Sequence, residues 1–207
     1  MALLRYLAVM ADERGPHATD GDLFAVAERV LREAGPHALS LRRIAELAGT
    51  STQAVYTSFG GKPGLIDALF RAGYARLAER LETVDPGLDP IPTILELSDA
   101  YRDNALANPH LYDLMTGRPL PEYDAPADSR AFARSTMQPL IDAVADAVEQ
   151  GELDGDPSQI AHVLWAAVHG FTSLLIHGLD GGRDADERYR AMAIHLVDSY
   201  RSTSPDP

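Results

Sequence analysis

Residues 51 to 62 gather side chains that could hold a nucleic acid. At about 3.6 residues per turn, Thr52, Gln53, Tyr56 and Thr57 fall within roughly a 140° arc of a helix, while Val55 and Phe59 point the other way. A glutamine amide can pair with adenine, threonine methyls can meet thymine methyls, and a tyrosine hydroxyl can donate to a phosphate. Lys62, the only lysine in the chain, stands where Pro63 can open a helix, so its ammonium and the free backbone N–H groups could grip one phosphate together. Arg42 and Arg43 fall on the outward side of a preceding short helix, able to reach backbone or guanine, or to pair with Glu46 on a solvated face. Singly, each of these polar residues reads as well as solvated surface, and Tyr56 as a core anchor.

The elements that must position them follow from caps and periodicity. Ser40 can cap a short helix whose Leu41, Ile44, Ala45 and Ala48 form a buried side, and Gly49 supplies its left-handed stop. Thr50 or Ser51 can cap the next helix, with Val55 and Phe59 inward and Gly60-Gly61 at its end. Upstream, Thr19 and Asp22 have capping-box spacing before a helix with Leu23, Phe24, Ala27, Val30, Leu31 and Ala34 on one face, stopped by Gly35-Pro36. Downstream, Pro63 opens a fourth helix to about Leu81, with Leu65, Leu69, Leu77 and Leu81 near one stripe. Two short helices joined by a tight glycine turn, inside a packet of three or four, make a helix-turn-helix, and such a helix is narrow enough to enter a major groove.

The rest of the chain also reads as helix, so the fold class is all-α. Asp85 to Pro92 breaks the pattern and marks a junction; Thr93 with Glu96 is a second capping box, and Asn108-Pro109 closes that helix before a short segment to Thr116. Residues 117–127 read as loop, and Ser129 to Gln150 as one long amphipathic helix. From Pro157 to Leu179 there is no Asp, Glu, Lys or Arg. That length could span a membrane, but His162, His169, His177 and the absence of basic flanks favour a buried or interfacial helix, and no membrane association is expected. A last helix runs from Asp184 to about Arg201, and Ser202 to Pro207 should fray. Residues 1–18 read as a flexible extension, residues 19–82 as the helix-turn-helix domain, and residues 83–207 as a second helical domain.

Charge divides the same way. The chain carries −13 overall, but residues 1–82 hold ten basic and ten acidic side chains, whereas residues 83–207 hold eight against twenty-one. Between Arg42 and Lys62 three positives face Glu46 alone, a local basic surface. The absence of cysteine excludes disulfides and thiolate metal sites and fits a reducing, cytoplasmic setting. The apolar start has a single Arg, a hydrophobic run of only a few residues and acidic residues directly after it, which makes a poor signal peptide, and Met10 is an alternative start.

The run from Leu41 to Lys62, LRRIAELAGTSTQAVYTSFGGK, resembles the DNA-binding signature of the tetracycline-repressor (TetR) family, over about residues 20 to 81. The resemblance implies a homodimer with an N-terminal homeodomain-like helix-turn-helix, bound to a double-stranded operator, and a C-terminal helical domain that dimerises and senses a small molecule. It implies a phosphate contact for Tyr56, a phosphate held by Lys62 at the fourth helix, and groove-facing roles for Arg42, Thr52, Gln53 and Thr57; Ser40, Arg43 and Ser51 complete the DNA-facing set. The sequence departs from the family at Gln53, where Gly or Pro is common, at Thr57 or Ser58, where His is common, and at Pro63, where an acidic residue is frequent. Trp165-Ala-Ala-Val-His169-Gly170 resembles the Trp-His-Gly element of one C-terminal subgroup. By the same resemblance the Pro157 helix and the last helix pair with their copies, and a pocket lies among the helices starting near Thr93, Ser129 and Pro157. Tyr101, Tyr112, Phe132, Trp165, His169 and Phe171 are the candidates to line it, and each also reads as ordinary core.

Competing chemistry has thinner support. His162, His169 and His195 could form an imidazole site, but no cysteine and no i, i+4 histidine pair supports it, and no cofactor or metal is expected. Inward Glu-x-x-His pairs, the nucleophile elbow, the P-loop and the dinucleotide fingerprint are all missing, which argues against an enzyme. The remaining alternative is a helical dimer that binds a protein partner and no DNA.

Overall fold

The computed structural model describes residues 19–202 apart from 86, 88, 118, 119, 121, 122 and 181; the expected extension over residues 1–18 and the tail from 203 lie outside them. The described residues form helices, with one isolated antiparallel bridge between Leu153 and Arg201. They pack as two compact units, one up to Glu79 with Asn108–Arg134, the other Arg80–Ala107 with the chain from Ser135 onward.

In the first unit, α1 (Asp20–Ala34) starts on the expected capping box. Thr19 Oγ1 accepts from the Asp22 amide at 3.2 Å, and the Asp22 carboxylate accepts from the Thr19 amide at 3.0 Å. Then come α2 (Leu41–Ala48), α3 (Thr52–Phe59) and α4 (Lys62–Leu81). Leu23, Ala27, Leu39, Ile44, Val55, Leu65 and Leu69 are buried together at their centre. Each large aliphatic side chain withdrawn from water there contributes about 1.5–3 kcal/mol. The short helices α6 (Pro109–Thr116) and α7 (Ala127–Ser135) belong to this unit, and Leu111, Leu114 and Leu120 share its core. Packing therefore crosses the boundary expected after residue 82. Gly73, buried on α4, lets α6 come close: a Cβ there would press on the Met115 side chain and meet Leu111 Cβ at 3.5 Å.

The second unit holds α5 (Pro90–Ala107), α8 (Gln138–Glu149), α9 (Pro157–Ile176), α10 (Ala185–Asp198) and the last residues of α4. Ile94, Leu97, Val144, Ala147, Ile160, Leu164 and Val197 form its core. Two expectations about helix boundaries fail here. The helix beginning at Thr93 instead starts at Pro90, and Thr93 donates both its amide and its hydroxyl to the Asp89 carbonyl at 3.0 Å. Pro90 and Pro92 sit in the first turn, where a missing N–H breaks no hydrogen bond. The single helix expected over residues 129–150 is two, α7 and α8, because Pro139 has no N–H to donate to the Ser135 carbonyl and its ring would clash with it. Ser202, expected to fray, donates its amide to the Glu152 carbonyl at 3.1 Å.

Helix α9 is the helix, among the described residues, long and apolar enough to cross a membrane. Only one face of it is covered. Ile160, Ala161, Leu164, Val168 and Thr172 are buried, whereas Val163, Ala166, Gly170 and Leu174 form an exposed stripe on the opposite side.

Candidate functional site

Helices α2 and α3 are joined by a turn that their sequence dictates. The Ser40 hydroxyl caps α2 by accepting from the Arg43 amide at 3.2 Å. Gly49 ends α2 in the left-handed region at φ 66, and the Thr50 amide then closes back on the Ala45 carbonyl at 3.0 Å. Ser51 caps α3 by accepting from the Ala54 amide at 3.1 Å, which settles the choice between Thr50 and Ser51. Val55 is fully buried and anchors α3. The Ser58 hydroxyl donates to the Asp20 carboxylate and ties the end of α3 to the start of α1. Ser51→Ala should lower unfolding free energy by about 1 kcal/mol, read by urea denaturation, because the cap satisfies a backbone amide in the first turn of α3.

The outward face of α3 carries Thr52, Gln53, Tyr56 and Thr57, all exposed. Tyr56 is 53% exposed, which excludes the core-anchor reading. The Thr57 hydroxyl donates to the Gln53 carbonyl at 2.9 Å, so its polar group is held on its own helix. Ser40 and Ser51 act as acceptors in their caps and keep a hydroxyl proton to donate. Gly60-Gly61 then turns the chain into α4, whose first residue is Lys62. Gly61 has φ 115, a backbone conformation that favours glycine, and its Cα side lies in van der Waals range of the Tyr56 ring. On α2, Arg43 is exposed and Arg42 Nε donates to Glu46 at 2.8 Å; that pair is solvent-exposed and contributes little to stability. Hydroxyls, an amide and a phenol on α3 and two guanidinium groups on α2 are thus exposed, with Lys62 partly buried at the start of α4.

A small cavity, with about 40 Å³ of enclosed space behind an open mouth, lies wholly within the second unit. Helix α5 supplies Leu97, Ser98 and Tyr101, the α7–α8 turn and α8 supply Thr136, Met137 and Leu140, and α9 supplies Trp165 and Val168, with Leu81 at the end of α4. Tyr101 OH and His169 Nδ1 share a hydrogen bond of 3.0 Å, and the Trp165 ring stacks on His169 with centroids 5.3 Å apart. Burial pushes the His169 pKa down, so the ring is neutral at neutral pH.

Comparison with known proteins bears on both regions. Residues 23–69 match the family model "Bacterial regulatory proteins, tetR family", and residues 94–196 match "Tetracyclin repressor-like, C-terminal domain". The chain belongs to the TetR family. Among relatives, an HTH-type transcriptional regulator of Mycobacterium tuberculosis, Rv1816, is 29% identical over 141 residues, 65% of this chain and 59% of its own length. The chain thus spans less than two thirds of the curated relatives it matches. A Rhodococcus sp. RHA1 structure of unknown function superposes with a TM-score of 0.79 at 28% identity, covering 92% of this chain and all of that one. A TetR/AcrR-family transcriptional regulator from Thermobifida fusca YX-ER1 gives 0.65 at 26% identity, covering 88% and 98%.

In this TetR chain Ser40, Arg42, Arg43, Ser51, Thr52, Gln53, Tyr56 and Thr57 are exposed and Lys62 is partly buried, while the candidate ligand residues are divided. Tyr101 and Trp165 line the cavity and His169 contacts both. Tyr112 is buried on α6 and Phe132 lies under the Arg71 guanidinium, 5.5 Å from its centroid, both in the first unit. Phe171 packs edge-on against Tyr189. Leu97, Ser98, Met137, Leu140 and Val168 line the cavity without having been singled out, since apolar residues at helical spacing carry no signal beyond core. A further cluster also escaped notice. Glu28 on α1 accepts a two-pronged pair from Arg76 on α4 at 2.6 and 2.8 Å, His110 on α6 stands 3.3 Å away, and Arg76 also donates to Asn108 at 3.0 Å.

Proposed function

We propose that this chain is a cytoplasmic, homodimeric transcription regulator that binds a palindromic double-stranded operator and is released from it by a small molecule. The observation that carries the reading is the exposed face of α3, with the 53%-exposed Tyr56 ring lying against the glycine turn that leads into Lys62 at the start of α4. Gln53, Thr52 and the Thr57 methyl read base edges, Arg42 and Arg43 reach backbone or guanine, and Tyr56, Lys62, Ser40 and Ser51 hold phosphates. Two copies place their α3 helices in successive major-groove faces, which requires a two-fold operator. Residues 19–82 serve as the DNA-binding part and the later helices as the sensing and dimerising part. The cavity lined by Tyr101 and Trp165 is the effector site, and occupancy shifts the population toward an arrangement that no longer fits DNA. Nothing in this reading calls for catalysis, a cofactor or a membrane.

Dimerisation is supported by the bare stripe of α9. Val163 and Leu174 are each 42% exposed, Gly170 faces open space, and Ile194 on α10 is exposed as well. An uncharged face of this kind marks a protein–protein contact. Leu174→Arg with Ile194→Asp should convert a dimer to a monomer in analytical ultracentrifugation; a variant that still sediments as a dimer would refute this surface.

Fluorescence anisotropy with DNA from upstream of the gene, at several salt concentrations, tests the whole reading. Tight binding over scrambled DNA, lost in Tyr56→Ala/Lys62→Ala, is the expected result. Equal weak binding to both duplexes, unchanged in the variant, would overturn it in favour of a helical dimer for a protein partner.

A further inference from the structure

Helix α1 begins against the helix assigned to read DNA. The Ser58 hydroxyl, in the last turn of α3, donates to the carboxylate of Asp20, the first residue of α1. Asp22 follows two residues on, exposed, its carboxylate accepting from the Thr19 amide at 3.0 Å and the Thr19 hydroxyl at 2.8 Å. A helix start ordinarily attracts an anion such as a phosphate, and here the chain's own two carboxylates take that place. They also decide the charge of the region. Helices α2 and α3, the start of α1 and the first residue of α4 together hold three cations, Arg42, Arg43 and Lys62, and three carboxylates, Asp20, Asp22 and Glu46. The stretch from Arg42 to Lys62, basic when read along the chain, is therefore neutralised once the fold sets α1 against α3.

Geometry bounds how far these carboxylates can stand from a bound duplex. A major groove is about 12 Å wide with phosphates along both walls, and a helix with its side chains is about 10–12 Å across. A carboxylate hydrogen-bonded to a helix seated in that groove lies within roughly 10 Å of phosphates, about one Debye length at 0.1 M salt. We infer that Asp20 and Asp22 oppose DNA binding, repelling backbone phosphates so that the affinity for every duplex is set below what the reading surface alone would give. The inference rests on the regulator reading, because it requires α3 to enter the groove. One carboxylate acting across about 10 Å of water weakens binding by a factor of about two, and a dimer brings two copies to one duplex. Asparagine at either position keeps an oxygen to accept from Ser58 or Thr19 and removes only the charge.

The test is fluorescence anisotropy of the full chain with two labelled duplexes, one from upstream of the gene and one scrambled. Asp20→Asn and Asp22→Asn should each bind both duplexes about two- to fivefold more tightly than the native chain at about 0.05 M salt. That gain should fade toward none by about 0.5 M as ions screen it, a dependence that an altered fold would not produce. Asp146→Asn changes the net charge equally but lies exposed on α8 in the second unit, and should leave binding as it was. The inference is overturned if the folded variants bind no more tightly than the native chain at low salt, if the gain persists undiminished at high salt, or if Asp146→Asn matches it. Should far-UV circular dichroism show that one of the two variants is unfolded, the other decides. A native chain that binds neither duplex at any salt refutes the regulator reading and this inference together. A native chain that binds, with variants that gain nothing, refutes the inference alone.

Discussion

Lys62→Ala should weaken binding to every duplex by a similar factor of about 5–20, and reduce the salt slope by about one, while Gln53→Ala changes which duplex is preferred. The difference follows from position. Lys62 opens α4, and in the proposed role its ammonium and the helix N-terminus would present charge to a phosphate, a group that is the same in every sequence. Gln53 lies in the first turn of α3 on its exposed face, so its amide is the group most able to distinguish adenine from another base, a discrimination of about 1–3 kcal/mol. A randomised-site selection on the native chain and both variants separates the two effects. If Gln53→Ala leaves relative preferences across the library untouched, the assignment of Gln53 as a reader is wrong.

Glu28→Ala should lower the unfolding free energy by about 3 kcal/mol, the largest single-residue loss of stability expected outside the apolar cores. The side chain is 15% exposed and holds the Arg76 guanidinium by both oxygens. Removing it strands a half-buried cation and frees His110 from α1. The hydrogen bond from His110, and after it the bonds and charge of Arg76, outweigh burial and hold the Glu28 carboxyl down at about 2. A carboxyl depressed in the folded state stabilises fully above its unfolded value and loses that contribution as pH falls through its folded value, so the window here runs from about 4.5 down to about 2. Urea unfolding of native protein and Glu28→Ala should therefore differ most near neutrality and converge as pH approaches 2. Parallel curves across that range would show that the carboxylate does not carry the effect.

What was legible in the sequence was whatever is encoded within a few residues. Thr19 with Asp22, Ser40, Gly49 and Gly60 announced helix ends that the structure reproduces, because caps act over one turn. The α3 surface was legible for the same reason: a helix of eight residues with one buried valine leaves little freedom as to which side faces out. The return of residues 108–134 to the first unit was not, since it depends on Leu111 and Leu114 meeting residues of α1 and α4 far away in the chain. Glu28, Arg76 and His110 are separated by 48 and 82 residues from Glu28, and nothing local marks them as partners. Tyr112 and Phe132 were assigned to the pocket by residue type, which does not report the core an aromatic enters. Pro90, Pro92 and Pro139 showed the ambiguity of proline, which breaks a helix interior and begins a helix equally well.

The bare stripe of α9 also bears on gene dosage. If two chains must meet through it before either operator half-site is engaged, then at concentrations below the dimerisation constant the amount of DNA-competent protein rises with the square of total chain. Halving expression would then cut the DNA-competent dimer about fourfold, and the occupancy of an unsaturated operator with it. The regulated promoter would respond to the cell's supply of this protein with a threshold, although each binding step taken alone is graded.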